Sequence, residues 1–275
     1  MEAVFTPRGP YRLRLMARSG CWTAPLPGGR RAVAWQVADG RVHVRSSDEE
    51  GLERARFMLA LDDDTSEFHR RFARDPLLGP SARALTGYRP LRRATVTHAV
   101  LRGFCGQLIE SRRAAAIERA VLRRCGEEVA TRDRLAALAP VELRRLGLAS
   151  HRAAALVRVC RTIDVERLRA HATPDVLARL RREPGIGPWT CGVIALEGLG
   201  RFDHGLVGDL GLVKLASSLR GRWVEAAETA ELLAPYGAWQ GLAGEILMLG
   251  WGRGLVPGAD ADLARHVRVR ARRAA

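Results

Sequence analysis

The stretch that most restricts how this chain can fold is REPGIGPWTCGVIALEGLG, residues 182–200. Thr173-Pro174-Asp175 reads as a helix start, with a cap, a proline at the first turn and an acid beside the helix dipole. Pro184 stops that helix, and Pro188 opens another that Gly200 closes. Between them, Gly185 and Gly187 permit a turn tight enough to bring the backbone close to another molecule. The turn runs straight into a helix N-terminus, whose unpaired N–H groups and dipole favour an anion. A plain tight turn between two packed helices accounts for the pattern equally well. Asp209 opens the next helix, which extends to Leu219.

The rest of the chain divides by periodicity. Residues 11–46 read as a small antiparallel sheet, with one run at Tyr11, Leu13 and Leu15 and a second at 32–37. Asp39-Gly40 is the hairpin turn before Val42 and Val44. A helix follows at about 49–60, and Ser66 caps a short one carrying Phe68 and Phe72. The prolines and glycines of 76–90 read as a linker-like crossing. From about 94 the pattern is helical, with Thr95, Ser111, Pro140 and Ser150 as helix starts and two last helices at about 224–233 and 239–250. The division expected is 1–89, an N-terminal α+β domain; 90–255, helical; and 256–275, a basic tail from Arg265 to Arg273.

Charge narrows the partner. With 275 residues, 47% hydrophobic, the chain can bury a real core. A formal charge of +15 suits a polyanion such as DNA, although Lys214 is the only lysine and an Arg-for-Lys bias of this kind also follows from a GC-rich genome. The apolar runs are too short for a membrane-spanning helix, and no signal-peptide core is present. The five cysteines are scattered without a CxxC pair, which argues against a zinc or iron–sulfur site and fits a reducing cytoplasm. His98, His151 and His171 stand singly and read as surface or core residues, not metal ligands.

Several segments together resemble the helix-hairpin-helix DNA glycosylases, most closely the alkylated-base branch typified by DNA-3-methyladenine glycosylase II. They are GFCGQLIESRRAAAIERAV (103–121), APVELRRLGLASHRAAAL (139–156), the hairpin with its following helix (180–214) and PYGAWQGLAGEILML (235–249). The similarity covers roughly 90–250 in the family's order. It implies an α+β fold, in which a small N-terminal antiparallel sheet precedes an all-α helix-hairpin-helix core of two helical lobes with a cleft between them. It also implies base excision, in which a damaged nucleotide is turned out of duplex DNA and its N-glycosidic bond is broken. The sugar becomes oxocarbenium-like as that bond breaks, and a nearby carboxylate stabilises it and orients water.

The residue matching the family's essential aspartate is Asp209; its other reading, an N-cap, is compatible with that role. Asp203, the nearest rival, matches no catalytic position. The lysine that forms a Schiff base in bifunctional members is replaced by Trp189, so no lyase activity is expected. Trp189 matches a pocket aromatic that stacks on the flipped base, and equally suits a core position. The other pocket positions read Val193, Leu210 and Met248, in a chain only 5% aromatic; Trp35, Trp239 or Trp251 would have to supply further rings. Gly185, Ile186, Gly187 and Thr190 of the hairpin are expected at a DNA phosphate. Leu108 is expected to fill the gap left by the flipped base and Gln107 to bond the orphaned partner, with a buried Leu and a capping Gln as the other readings.

The resulting expectation is a monofunctional glycosylase for a damaged, alkylated purine, acting as a cytoplasmic monomer on double-stranded DNA. No cofactor is required, although a monovalent cation on the hairpin carbonyls is part of the family pattern. The competing readings are a DNA-binding protein of this fold that excises weakly or not at all, and a glycosylase for deaminated or oxidised purines.

Overall fold

The computed structural model describes residues 1–17, 19–107 and 111–260, Ser111 without its side chain. Leu108 and the basic tail from Arg265 to Arg273 therefore lie outside the described residues.

The chain opens with four strands, β1 (Glu2–Phe5), β2 (Cys21–Pro25), β3 (Arg31–Gln36) and β4 (Val42–Ser46). They form one antiparallel sheet in the order β1-β4-β3-β2. Alternation aims Trp22, Ala24, Ala32, Ala34, Val42 and Val44 at a common core, where Leu52 and Ala55 of helix α1 (Glu49–Met58) cover them. Asp48 caps α1 by accepting the Gly51 N–H at 2.8 Å.

The run at Tyr11–Leu15 is not a strand but a 3-10 turn over Leu13–Leu15. The Arg12 N–H donates to Gly87 O and the Leu13 N–H to Gln36 Oε1, so the backbone is tied across the domain instead of along a ladder. Its alternating leucines mimic a strand because Tyr11 and Leu13 are buried and Arg12 and Arg14 are exposed. The strands at 2–5 and 21–25 carry weaker alternation and are set by pairing with β4 and β3.

Two short helices follow, α2 (Ser66–Phe72) and α3 (Gly79–Ala84). Residues 76–90 are thus no open linker: Leu78, Ser81 and Leu85 are fully buried. The reason is Gly250, where an added Cβ would lie 1.9 Å from Ser81 Oγ; bare backbone lets α3 press onto the last helix. Arg89, also fully buried, closes the segment by donating to the carbonyls of Ala60, Arg8 and Pro10.

The helical region comprises α4 (Val96–Gly106), α5 (Ser111–Cys125), α6 (Arg132–Ala136), α7 (Pro140–Arg145), α8 (Ser150–Thr162) and α9 (Thr173–Arg181). Next come α10 (Pro188–Val193), which continues as a π-type turn over Ile194–Leu199, then α11 (Leu210–Arg220), α12 (Thr229–Leu233) and α13 (Gln240–Trp251). Thr95 caps α4 through its side chain, whereas Ser150 is already helical and caps nothing. The five-residue helix α6 is too short to show a period.

Two apolar cores organise these helices. One is built from α4–α10, with Phe104, Leu156 and Ile186 among its members. The other joins α11 and α13 to Phe68, Phe72, Leu78 and Leu85 of the α2–α3 segment. The helix formed by α10 and its π-type turn sits between them: Ile194 faces the first core, Val193 and Leu196 the second. Among the described residues no helix is long and apolar enough to cross a membrane.

Candidate active site

The hairpin is held from behind. Gly185 adopts φ +92°, and Ile186 is buried in the first core, so the turn offers backbone and not the Ile186 side chain. Gly187 caps α10 in extended conformation with open space where a Cβ would be. The first backbone bond of α10 runs from Cys191 N to Gly187 O at 3.0 Å, which leaves the Trp189 and Thr190 N–H groups without an intrahelical acceptor. Thr190 itself is fully buried: its methyl lies against Gly103, so any contact it makes outside is through backbone.

Gln107 walls the hairpin cleft with its amide nitrogen engaged by the hairpin. Its Nε2 donates to Gly185 O and to Thr190 Oγ1, both at 2.8 Å, tying the end of α4 to the hairpin. Two arginines complete the brace, Arg152 donating to Gln107 O and Arg158 to Pro184 O. The carbonyls of Pro184 and Gly185 thus each accept one hydrogen bond, from a guanidinium and an amide. Among the described residues no cluster of three or more His, Cys, Asp or Glu side chains could hold a metal. In front of the hairpin lies a cleft of about 560 Å³, walled by Gln107, Gly187, Trp189, Val207, Gly208 and Ala226.

Asp209 caps α11, as expected, with Oδ1 accepting the Gly211 N–H at 2.7 Å and the Leu212 N–H at 3.4 Å. Its other oxygen faces the hairpin helix. There the Trp189 indole N–H donates to Oδ2 at 2.9 Å. The carboxylate is half-buried, held in plane by one donor set from each side. Trp189 reaches it because Gly106 clears the way: a Cβ on Gly106 would lie 2.3 Å from the ring atom Cη2. The glycines at 103 and 106, three apart on one face of α4, are thus the seat of Thr190 and Trp189.

The remaining pocket candidates separate. Met248 meets the site: its Sδ and Asp209 Oδ1 both lie 2.9 Å from the Cβ position of Gly211. Leu210 follows Asp209 and is half-buried. Val193 is 2% exposed and packed in the second core, so its side chain is structural here. Trp35 stacks on His43 in the sheet, and Trp239 packs with Phe68 and Phe202. Asp203 is exposed, as are His151 and His171, whereas His98 is buried with Nε2 3.0 Å from Glu118 Oε1.

One group was not singled out in the sequence. Glu245 is the lone charged residue of α13 and accepts the Tyr88 hydroxyl at 3.1 Å. Burial, the Glu197 charge and the Asp209 charge push its carboxyl up to about 7, against the Tyr88 bond and the Arg102 charge. Its signal in sequence is one acid in an otherwise apolar helix.

The fold has counterparts among solved structures. The 3-methyladenine DNA glycosylase of Archaeoglobus fulgidus superposes with a TM-score of 0.73 at 17% identity, covering 91% of this chain and 98% of that one. An 8-oxoguanine glycosylase/lyase of Clostridium acetobutylicum, in complex with double-stranded DNA, gives 0.72 at 15%, covering 92% and 98%. The fold is that of the helix-hairpin-helix DNA glycosylases. A DNA-3-methyladenine glycosidase of Bacillus halodurans shares it over 68% of this chain and 89% of its own, with a TM-score of 0.53 and 21% identity. No protein-family model and no curated protein sequence matches the chain. The glycosylase fold thus accounts for the sheet at the front of the chain as well as for the hairpin and α11.

Proposed function

We propose that this protein is a monofunctional DNA glycosylase of base excision repair, which hydrolyses the N-glycosidic bond of a damaged, alkylated purine and leaves an abasic site. The observation that carries the reading is Asp209, clamped between the N-terminal N–H groups of α11 and the indole of Trp189, itself a wall of the hairpin cleft. A carboxylate so fixed costs no reorganisation when charge develops on the sugar, the condition for electrostatic stabilisation of an oxocarbenium-like state. The hairpin N–H groups and a +15 chain supply the phosphate grip.

The absence of strand cutting follows from the residue after the hairpin. By the sequence resemblance Trp189 matches the Schiff-base lysine of bifunctional members, and its ring N–H bonds the carboxylate and is no nucleophile. Lys214, the only lysine, is on α11 more than a turn past Asp209. Borohydride added to the protein on damaged duplex is expected to trap no covalent adduct.

The deciding experiment is base release from methylated duplex by wild type and Asp209→Asn. Asn retains an oxygen to cap α11, so the fold persists while the negative charge is lost. Release should fall about 10²–10⁴-fold. Equal release by the two proteins would remove Asp209 from the mechanism; no release by either would favour a DNA-binding role. A panel with 7-methylguanine, hypoxanthine and 8-oxoguanine identifies the lesion.

A further inference from the structure

Beside the site lies a second cavity, of about 530 Å³, where the sheet domain meets the helices. Met16 and Trp22 line it from the N-terminal side, Arg93 and Glu197 from the middle of the chain, Glu245 and Leu249 from α13. Its volume is within the range of small-molecule pockets. Asp209 does not line it but is near enough for its charge to act on Glu245, and Met248, one helical turn (i+3) past Glu245 on α13, has its Sδ at the same Gly211 position as Asp209 Oδ1.

The charges around the cavity are paired, with one exception. Arg92 bonds Asp63, while Arg93 bonds Glu197 at 2.7 Å and Glu118 at 3.1 Å. Among the described residues Glu245 is in no ion pair within 4 Å; its partner is the neutral Tyr88 hydroxyl. A carboxyl lining this mixed polar and apolar cavity without a counter-charge leaves room for one positive charge once it is ionised. A purine alkylated on N3 or N7 of its nucleoside carries one; hypoxanthine and 8-oxoguanine do not.

We infer that Glu245 determines specificity, its carboxylate selecting cationic alkylated purines over neutral damaged ones in the cavity between the sheet and α13. This rests on reading the chain as a base-excising enzyme. The groups facing Glu245 are Tyr88, Glu197 of the π-type turn, Asp209 of α11 and Arg102 of α4. Burial first, and then the charges of Glu197 and Asp209, make the carboxyl ionise late, so selectivity grows as pH rises through about 7. A bound cation draws the proton off and reinforces the preference.

The test is single-turnover release of 3-methyladenine and hypoxanthine from matched duplexes, at pH 6 to 8, by wild type and Glu245→Gln. The ratio of the two rates should fall at least about tenfold in the variant at pH 8, and its rise with pH should disappear. Tyr88→Phe, which removes a bond to the ionised carboxyl, should move that rise to higher pH. An unchanged ratio, or a proportional loss of both rates, would overturn the assignment. If wild type releases neither base, the glycosylase reading itself fails. Binding of 3,9-dimethyladeninium against 9-methyladenine, followed by Trp22 fluorescence, then judges Glu245 separately: equal affinities in wild type refute it, and a preference for the cation lost in Glu245→Gln upholds it.

Discussion

Glu245→Gln should raise the stability of the protein, and by more at pH 8 than at pH 5. The wild-type carboxyl is pushed from 4.5 to about 7 by burial and by the charges of Glu197 and Asp209. Between those values the folded protein holds a proton that the unfolded chain has released. Wild-type stability therefore falls as pH climbs from about 4.5 through about 7. At about 1.4 kcal/mol per unit, the full shift sets a ceiling of about 3 kcal/mol. The residue is partly exposed, and solvent screening brings the change between pH 5 and pH 8 to about 2 kcal/mol. Gln keeps an oxygen for the Tyr88 hydroxyl and has no charge to desolvate, so its fold lacks this penalty. In a chain of this size that is a gap in Tm of about 4–8 °C, opening as pH rises. Thermal melts of both proteins from pH 5 to pH 8 measure it, with titrating groups that do not interact with Glu245 cancelling in the difference. A gap that stays constant with pH, or a variant less stable at pH 8, would refute the reasoning, because it would mean that the carboxyl ionises in the fold as easily as in water.

Other outcomes follow from the clamp on Asp209. Trp189→Phe removes the indole donor at 2.9 Å while keeping a ring against Gly106, and should slow base release about 10- to 100-fold in single-turnover assays with DNA affinity little altered. Gly106→Ala drives a Cβ to within 2.3 Å of the Trp189 ring; unfolding by urea should show a loss of about 1–3 kcal/mol, accompanied by altered Trp fluorescence. Affinity for undamaged duplex should drop steeply with salt, and a flat dependence would contradict the part assigned to the positive charge.

How much of this was legible beforehand varies with the range of the interaction. Asp209 as a helix cap, Gly185 at the turn and Gly200 at the end of the hairpin helix, where it takes φ +71°, are local preferences, and they stand in the fold where short-range rules put them. The strand-like run at 11–15 misled because alternation records burial, and a turn bonded to Gly87 and Gln36 buries Tyr11 and Leu13 just as alternately. The helix hidden in 76–90 depends on Gly250, 170 residues away from Pro80, and such a partner leaves no local mark.

By itself the sequence determined the class of fold, through its strand and helix patterns and the resemblance of 90–250, and the presence of Trp189 and not a lysine directly after the hairpin, which is a matter of residue identity alone. Only the tertiary structure decided what the polar groups do. It turned Gln107 inward to bond Gly185 and Thr190, aimed the Trp189 N–H at Asp209, and brought Glu245 to a cavity shared with the sheet. The physical reason is that a helix start or a capping bond needs only neighbours in the chain. The partner of a buried polar group, and hence its charge and its role, is chosen by packing between segments far apart in sequence.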